Sequence, residues 1–121
     1  MNSGAYQLYI KVKKDLRIRV GSLGVCFFPA GNYIYTGSAM KNLEQRIARH
    51  IEGAKKIHWH IDYLLSSKHA EIVKVRKYSS TERKECYYNQ KILKKKGAFV
   101  PAKGFGSSDC RKCESHLVGI R

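Results

Sequence analysis

Alternation of apolar and polar side chains near the start of the chain is the feature that most restricts its fold. In residues 5–12, AYQLYIKV, every second side chain is apolar, which is typical of a strand with one buried face. Residues 16–20, LRIRV, alternate again, and GSLG then predicts a turn into VCFF. PAGN predicts a further turn into YIYTG. We therefore expect several strands here, with a β-hairpin formed by the second and third.

Helical signals follow the last of these strands. Asn42 and Gln45 are spaced as a capping box, which predicts a helix from near Leu43 to Gly53. Its predicted apolar stripe consists of Leu43, Ile47 and Ile51. HWHIDYLLSS predicts a short helix. The side chains expected to point inward from it are Trp59, Ile61, Leu64 and Leu65.

The second half of the chain is predicted to add a strand, AEIVKVRKY, and a longer helix. The SSTE that follows this strand is a second capping box, formed by Ser79 and Glu82, for a helix over residues 81–96. Residues 98–121 are rich in glycine and serine until HLVGI, where a final short strand is expected. These elements predict a mixed α/β (α+β) fold in one domain, residues 1–121, with a Cys/His-containing C-terminal segment of about 98–121.

A strong excess of positive charge bears on the partners of the chain. Its 121 residues include 24 Lys and Arg but only 9 Asp and Glu, a formal net charge of +15. Such a charge repels itself unless a polyanion neutralises it, which favours nucleic acid. The alternatives are an anionic membrane surface, or charge that only maintains solubility. Neither a membrane span of roughly 20 apolar residues nor a signal-peptide core is evident, so we expect a cytoplasmic protein.

Three kinds of polar side chain in these elements suggest chemistry on phosphate. Arg46 and His50 lie four residues apart, so they share a helix face and could grip one phosphate; a solvated helix face is the alternative. Tyr6 and Tyr35 lie on strands of one predicted sheet. A phenol has a pKa of about 10, so it can serve as a base only if nearby cations or a metal assist it. Core or edge aromatic side chains are the alternative for these tyrosines.

Glu85 stands out among the scarce acidic residues. It lies beside Cys86, Asn89 and Ile92, on the helix stripe expected to face the sheet. A carboxylate at the edge of a buried face is costly unless it is paired or holds a cation. Oxygen ligands used singly suit Mg²⁺. A salt bridge to one of the many basic residues is the alternative.

Paired signatures in this order resemble those of the GIY-YIG endonuclease superfamily: GAY at residues 4–6, YTG at 35–37, then a helix with Arg46 and His50, and a helical Glu85. FPAGNYIYTGSA, LEQRIARH, KIHWHIDYLL and GFGSSDC more closely resemble a small Uri-type branch, found alone or fused to DNA-glycosylase-like repair enzymes. The resemblance implies a GIY-YIG-like fold with a small central three-stranded antiparallel sheet flanked by helices. The predicted hairpin is an addition to that fold.

The resemblance also implies hydrolysis of a phosphodiester with one divalent metal. Tyr6 or Tyr35 would activate the attacking water, Arg46 would steady the phosphoryl group with help from His50, and Glu85 would hold Mg²⁺ or Mn²⁺. Contacts with nucleic acid are expected at six positions: Gly37, Ser38, Lys41, Arg49, Lys55 and Lys56.

The remaining histidines and cysteines offer further ligands. His58 and His60 flank Trp59, and either could protonate a leaving group; the alternative, favoured for His58, is a hydrogen bond to Asp62 that locks the loop. Four residues could bind Zn²⁺: Cys86, Cys110, Cys113 and His116, the last three in a C-x2-C-x2-H spacing. Passive thiols, or Asp109 and His116 lining a nucleic-acid groove, are the alternatives. Cys26, in GVCFFPAG, is expected to be a small core hydrophobe.

The sequence therefore predicts a metal-dependent endonuclease that hydrolyses phosphodiester bonds in DNA, with RNA not excluded. A domain of this size has little surface for reading a long site, so a preference for nucleic-acid structure is expected. The alternatives are a non-catalytic nucleic-acid-binding module, for which the net charge of +15 would suffice, and a zinc-stabilised interaction domain.

Overall fold

The computed structural model describes residues 2–53, 56–107, 110 and 112–121. They form a mixed α+β fold of seven strands and three α-helices, as expected. The strands are β1 (Gly4–Val12), β2 (Leu16–Arg19), β3 (Val25–Phe28), β4 (Gly31–Ala39), β5 (Ala70–Ser79), β6 (Ala98–Phe99) and β7 (Leu117–Ile120). The helices are α1 (Leu43–Glu52), α2 (His60–Leu65) and α3 (Glu85–Leu93).

Five strands form one antiparallel sheet in the order β5-β1-β4-β7-β6, and β2 and β3 pair in a separate hairpin. The hairpin and the final strand are therefore confirmed. The sheet is wider than the three strands that the family resemblance implied, because the C-terminal segment adds β6 and β7 beside β4. In the central pair, Tyr6 lies opposite Gly37 and Leu8 opposite Tyr35, so both tyrosines are near the end where β1 begins.

The helices cover both faces of this sheet. One apolar cluster joins alternate residues of β1, such as Leu8 and Ile10, to side chains of α1 and α2. A second cluster joins Ile34 of β4 and Val118 of β7 to Ile92 of α3. Because β1 and β4 are covered on both sides, even Gln7 and Thr36 are buried, and they hydrogen-bond to each other. Helix α1 therefore approaches the sheet from one face and α3 from the other.

Both predicted capping boxes are wrong. Ser79 is the last residue of β5, paired with Gly4, and Ser80 instead accepts a hydrogen bond from the backbone of Glu82 in a turn. Helix α3 consequently begins at Glu85 and is shorter than the predicted helix over 81–96. Pairing in the sheet has taken the residue that the local pattern assigned to the helix.

Helix α1 has the predicted bounds but a different cap. Asn42 is in the left-handed region with φ 57°, and its side chain makes no capping bond. Asn2, before β1, takes that role: its Oδ1 accepts from the backbone N–H of Glu44 at 2.8 Å, and its Nδ2 donates to Gln45. The predicted stripe also loses Ile51, which is 59% exposed.

No helix in the described part of the chain has the length and apolar character that crossing a lipid bilayer requires.

Candidate active site

A cleft of about 440 Å³ opens at the end of the sheet where β1 begins and β4 ends. Predicted site residues from four separate elements line it: Tyr6 of β1, Tyr35, Gly37 and Ser38 of β4, Arg46 of α1 and Glu85 of α3. They converge because β1 and β4 are antiparallel neighbours and the two helices approach this end from opposite faces.

Tyr6 is held by a buried histidine at the back of the cleft. A hydrogen bond of 2.8 Å joins Tyr6 Oη to His50 Nε2. Burial lowers the pKa of His50 to about 4, more than the nearby Asp62 carboxylate raises it, so the imidazole is neutral at pH 7. The shared helix face predicted that His50 would face the cleft beside Arg46. His50 is instead buried behind the phenol. It can act on the phenol, not on a phosphate.

Both phenols are protonated at neutral pH. Burial raises the pKa of Tyr6 well above its usual value, and burial raises the pKa of Tyr35 to about 12. The Arg46 guanidinium opposes both shifts, because a nearby cation favours phenolate. Either phenol would therefore need a proton acceptor or an added cation before it could serve as a base.

Gly37 is required by its contact with Tyr6. A Cβ at residue 37 would lie 2.7 Å from the Tyr6 hydroxyl oxygen and 2.8 Å from the ring carbon that bears it. The group that approaches the backbone of Gly37 closely is thus the phenol of Tyr6. Any side chain at this position would displace the group that hydrogen-bonds to His50.

Ser38 connects Arg46 and Glu85. Its backbone oxygen accepts from Arg46 Nη1 at 2.7 Å, and its hydroxyl donates to Glu85 Oε2 at 2.5 Å. Glu85 is half-buried at the start of α3, and no Lys or Arg among the described residues forms an ion pair with it. The salt-bridge alternative for this carboxylate is therefore not what the described residues show. One carboxylate oxygen is left without a hydrogen bond from them.

Asp62 organises the loop behind the cleft, a role that sequence reasoning assigned only loosely. It is 1% exposed and accepts from both terminal nitrogens of Arg49 at 3.1 Å. The backbone N–H groups of His58 and Trp59 also donate to it. Burial raises the pKa of Asp62, but these donors together hold it below its usual value. Arg49, which remains a predicted nucleic-acid contact, is bonded to Asp62 and is 27% exposed.

Trp59 is the main contributor to the cleft that sequence reasoning missed. It was expected to point inward, but it is 37% exposed and lines the cleft. The guanidinium carbons of Arg46 and Arg49 lie 4.8 and 4.6 Å from its ring centroid, within cation–π distance. Its polar neighbours in HWHID were the available signal for an exposed ring.

The predicted histidines and lysines described here lie outside the cleft lining. The His60 ring accepts from the backbone of Gly106 at 2.8 Å and packs against Phe105, so it holds the C-terminal segment. His58 bonds to Asp62 through its backbone N–H, although a bond from its ring was expected. Lys41 and Lys56 are exposed and are not among the lining residues. Lys55 and Asp109 lie outside the described residues.

A Cys3His group adjoins the same cleft, and three of its members, Cys86, Cys110 and His116, line it. The potential ligand atoms of Cys86, Cys110, Cys113 and His116 all lie within 4.8 Å of one another, so the group could hold a metal ion. The sulfur atoms of Cys86 and Cys110 lie at bonding distance, as in a disulfide, although the Cα atoms of the two residues are 7.3 Å apart. That separation exceeds the roughly 4.4–6.8 Å usual for disulfides. Cys26 is free and buried in the core, as expected.

Comparison with known proteins gives a family match. A family model described as "Domain of unknown function DUF123" matches residues 5–121, which include every residue that lines the cleft. No curated protein and no solved structure matches the chain.

Proposed function

Because the chain belongs to the DUF123 family, a GIY-YIG-like family of the Uri type, we propose that it is a divalent-metal-dependent endonuclease acting on DNA. The observation that carries this proposal is the meeting, in one open cleft, of two phenols, a guanidinium and a carboxylate that has no ion-pair partner among the described residues. These residues are far apart in the sequence, and packing of the core alone does not require a carboxylate at this point.

Glu85 would hold the catalytic Mg²⁺ or Mn²⁺. Its fit is supported by the lack of an ion-pair partner among the described residues and by the serine that fixes one of its oxygens. A single carboxylate with several waters is the usual protein contribution to a Mg²⁺ site. When bound, the ion supplies positive charge that polarises the phosphate and stabilises the transition state.

Tyr6 is the better candidate for the base, since among the described residues it alone of the two tyrosines has a buried acceptor for its proton. Its oxygen would take a proton from the attacking water as its own proton passes to His50 Nε2, 2.8 Å away. The resulting imidazolium would lie near Asp62, whose Oδ1 is 4.0 Å from His50 Nδ1. Asp62 would stabilise that charge without being protonated itself.

Arg46 and Tyr35 would act on the phosphate. Arg46 keeps one terminal nitrogen on the Ser38 carbonyl, and its other N–H groups can donate to phosphate oxygens as negative charge develops. Tyr35, whose pKa is raised to about 12 by burial, stays protonated and can donate a hydrogen bond. The two tyrosines would therefore have different tasks.

Zn²⁺ is the ion we propose for the Cys3His group. Four sulfur and nitrogen ligands close a tetrahedral structural site, and three of them come from a short C-x2-C-x2-H segment. Zinc there would tie α3 to the C-terminal segment. Metal analysis of protein purified under reducing conditions should give about one zinc per chain, and Cys113→Ser should lower that content. Metal-free protein with unchanged thermal stability would contradict the assignment.

The nuclease proposal is tested with labelled single-stranded, duplex, flap and junction DNA, and with matching RNA. Cleavage should require added Mg²⁺ or Mn²⁺; omission of the ion is preferable to a chelator, which would also extract zinc. Glu85→Gln, Arg46→Gln and Tyr6→Phe should abolish cleavage. Glu52→Gln, which removes an equal charge from an exposed site on α1, is the matched control and should cut normally.

A non-catalytic nucleic-acid-binding module is the second candidate, favoured by the net charge of +15. Wild-type protein that binds these substrates but cuts none of them with either metal would support it. Variants at Glu85 and Arg46 that cut as well as wild type would show that the cleft is not the site of cleavage.

A further inference from the structure

A basic groove runs along the outer side of α3, apart from the positions predicted to contact nucleic acid. Its exposed wall is a stripe of four residues of α3 and its ends: Lys84, Tyr87, Lys91 and Lys94. Their spacing of three or four residues places them on one helix face. Since a helix rises about 1.5 Å per residue, the stripe is about 15 Å long.

No carboxylate lines this groove among the described residues. Arg83 and Lys112 add two more cations to it. Elsewhere on the described surface some lysines are paired, as Lys13 is with Glu71 and Lys77 with Glu44. Unneutralised cations in a concave surface attract a polyanion, because their potentials add and the walls focus the field.

Tyr87 gives the groove an aromatic surface as well as charge. It is 56% exposed, and the Lys91 ammonium lies 4.5 Å from its ring centroid. Tyr88 beneath it stacks on Tyr78 of β5 with ring centroids 4.0 Å apart, which gives Tyr87 a firm support at 5.1 Å. Bases of single-stranded nucleic acid stack on such rings, and their phosphates pair with the neighbouring lysines.

The groove is continuous with the candidate active site. Arg83, Cys86 and Lys112 line both the groove and the cleft, so a chain leaving the cleft beside Glu85 enters the groove directly. At about 3.4 Å per nucleotide, the stripe has room for roughly four nucleotides.

We propose that this groove binds an unpaired segment of nucleic acid that adjoins the phosphate in the cleft. The proposal deepens the nuclease proposal and rests on it for the position of the phosphate. It makes the preferred substrate a nucleic acid with a single-stranded branch or end, since base stacking on Tyr87 requires a base that is not enclosed in a duplex.

Binding of a 5′-fluorescein-labelled 12-nucleotide single strand, followed by fluorescence anisotropy, tests the groove. The buffer contains no divalent metal and no chelator, so cleavage plays no part in the signal. Lys91→Gln/Lys94→Gln should weaken binding about tenfold and reduce the slope of log affinity against log salt by about 1.4, or 0.7 for each lost phosphate contact. Lys14→Gln/Lys68→Gln removes the same charge from the opposite end of the sheet and should leave the slope unchanged.

Tyr87 variants separate stacking from charge. Tyr87→Ala should weaken single-strand binding about tenfold with the salt slope unchanged, Tyr87→Phe should bind like wild type, and a blunt duplex should bind all three nearly equally. Equal effects of the groove and control lysine pairs, or no effect of Tyr87→Ala on single-strand binding, would overturn the proposal. So would a loss of binding to anionic phospholipid vesicles, instead of DNA, in the groove variant.

The two proposals fail in distinguishable ways. If the protein never cuts but the groove variants lose single-strand affinity, the groove proposal stands and only the nuclease proposal fails. A protein that cuts normally with the groove variants, and binds single strands like wild type, would keep the nuclease and remove the groove.

Discussion

The two sides of the cleft differ in the burial of the groups proposed to act there: on the α1 side Tyr6, His50 and Asp62 are almost completely buried, whereas on the α3 side Glu85 and its neighbours are half-buried or exposed. Tyr6, His50 and Asp62 are 2%, 3% and 1% exposed. Glu85 is half-buried and leads into the exposed Lys84 and Tyr87. The difference suits a division of tasks. Proton transfer needs groups fixed at short distances and shielded from water, but a hydrated cation and a polyanion must be able to enter and leave.

The largest predicted effect is the loss of cleavage when Glu85, on the exposed side, is substituted. Glu85→Gln should lower the cleavage rate about 1000-fold or more, since a neutral amide is a poor ligand for Mg²⁺ and the metal charge is lost. The unfolding midpoint should change little, because this carboxylate has no ion-pair partner among the described residues. Rates over a series of Mn²⁺ concentrations, beside a denaturation curve, measure both quantities. A variant that unfolds early and needs no more metal than wild type would contradict this view of Glu85.

On the buried side, Asp62→Ala should act on stability first. It leaves the Arg49 guanidinium, only about a quarter exposed, without its bidentate partner, and it frees two backbone N–H groups. Removal of one member of a buried ion pair costs about 3 kcal/mol. Urea denaturation measures the loss of unfolding free energy. Glu52→Gln should stay within about 0.5 kcal/mol of wild type, as exposed substitutions do.

Acid should weaken the buried side before the carboxylates protonate. Since burial lowers the pKa of His50 from its ordinary 6.5 to about 4, the unfolded chain binds a proton in that interval that the folded chain does not. The unfolding free energy should therefore fall, by about 3 kcal/mol at most, as pH drops from about 6.5 to 4. His50→Gln should make the decline clearly shallower; an unchanged slope would show that His50 is not the source.

The smallest predicted effect concerns the contact between Gly37 of β4 and the buried Tyr6. Gly37→Ala should reduce the unfolding free energy by about 1–3 kcal/mol, the usual cost of overpacking, because its Cβ would meet the Tyr6 hydroxyl. Cleavage should fall along with it. Gly37→Ala combined with Tyr6→Phe should recover part of the stability but no activity. If the double variant is no more stable than the single one, the clash lies elsewhere.

Much of the fold could be predicted because alternation marks β1 and β2, and turn residues and apolar runs mark the other strands. β1, the hairpin, β5 and β7 lie where the sequence predicted strands. The two caps failed for a physical reason: the bonds that replaced them join residues distant in sequence, as between Asn2 and Glu44, or belong to the sheet, as at Ser79. The spacing of neighbouring residues cannot show that a distant residue or the sheet will form these hydrogen bonds instead.

For the site, the family resemblance supplied a set of residues that the structure brings into one cleft, but it did not supply their surroundings. The pairing of Arg49 with Asp62 spans 13 residues and a turn, so helix periodicity could not reveal it. The stripe on α3 was visible as a spacing of lysines around Tyr87, but a helix predicted to begin at residue 81 concealed where it meets the cleft.

Asn2 lies outside every strand and helix, yet its side chain closes the first turn of the helix that carries Arg46 and His50. A crystallographer who trims the chain to its first regular element would begin at Gly4 and discard this residue. That truncation would cost about 1 kcal/mol, the usual value of an N-cap. It would also fray the one helix whose guanidinium must stay aligned, so a shortened protein with poor activity would say nothing against the cleft.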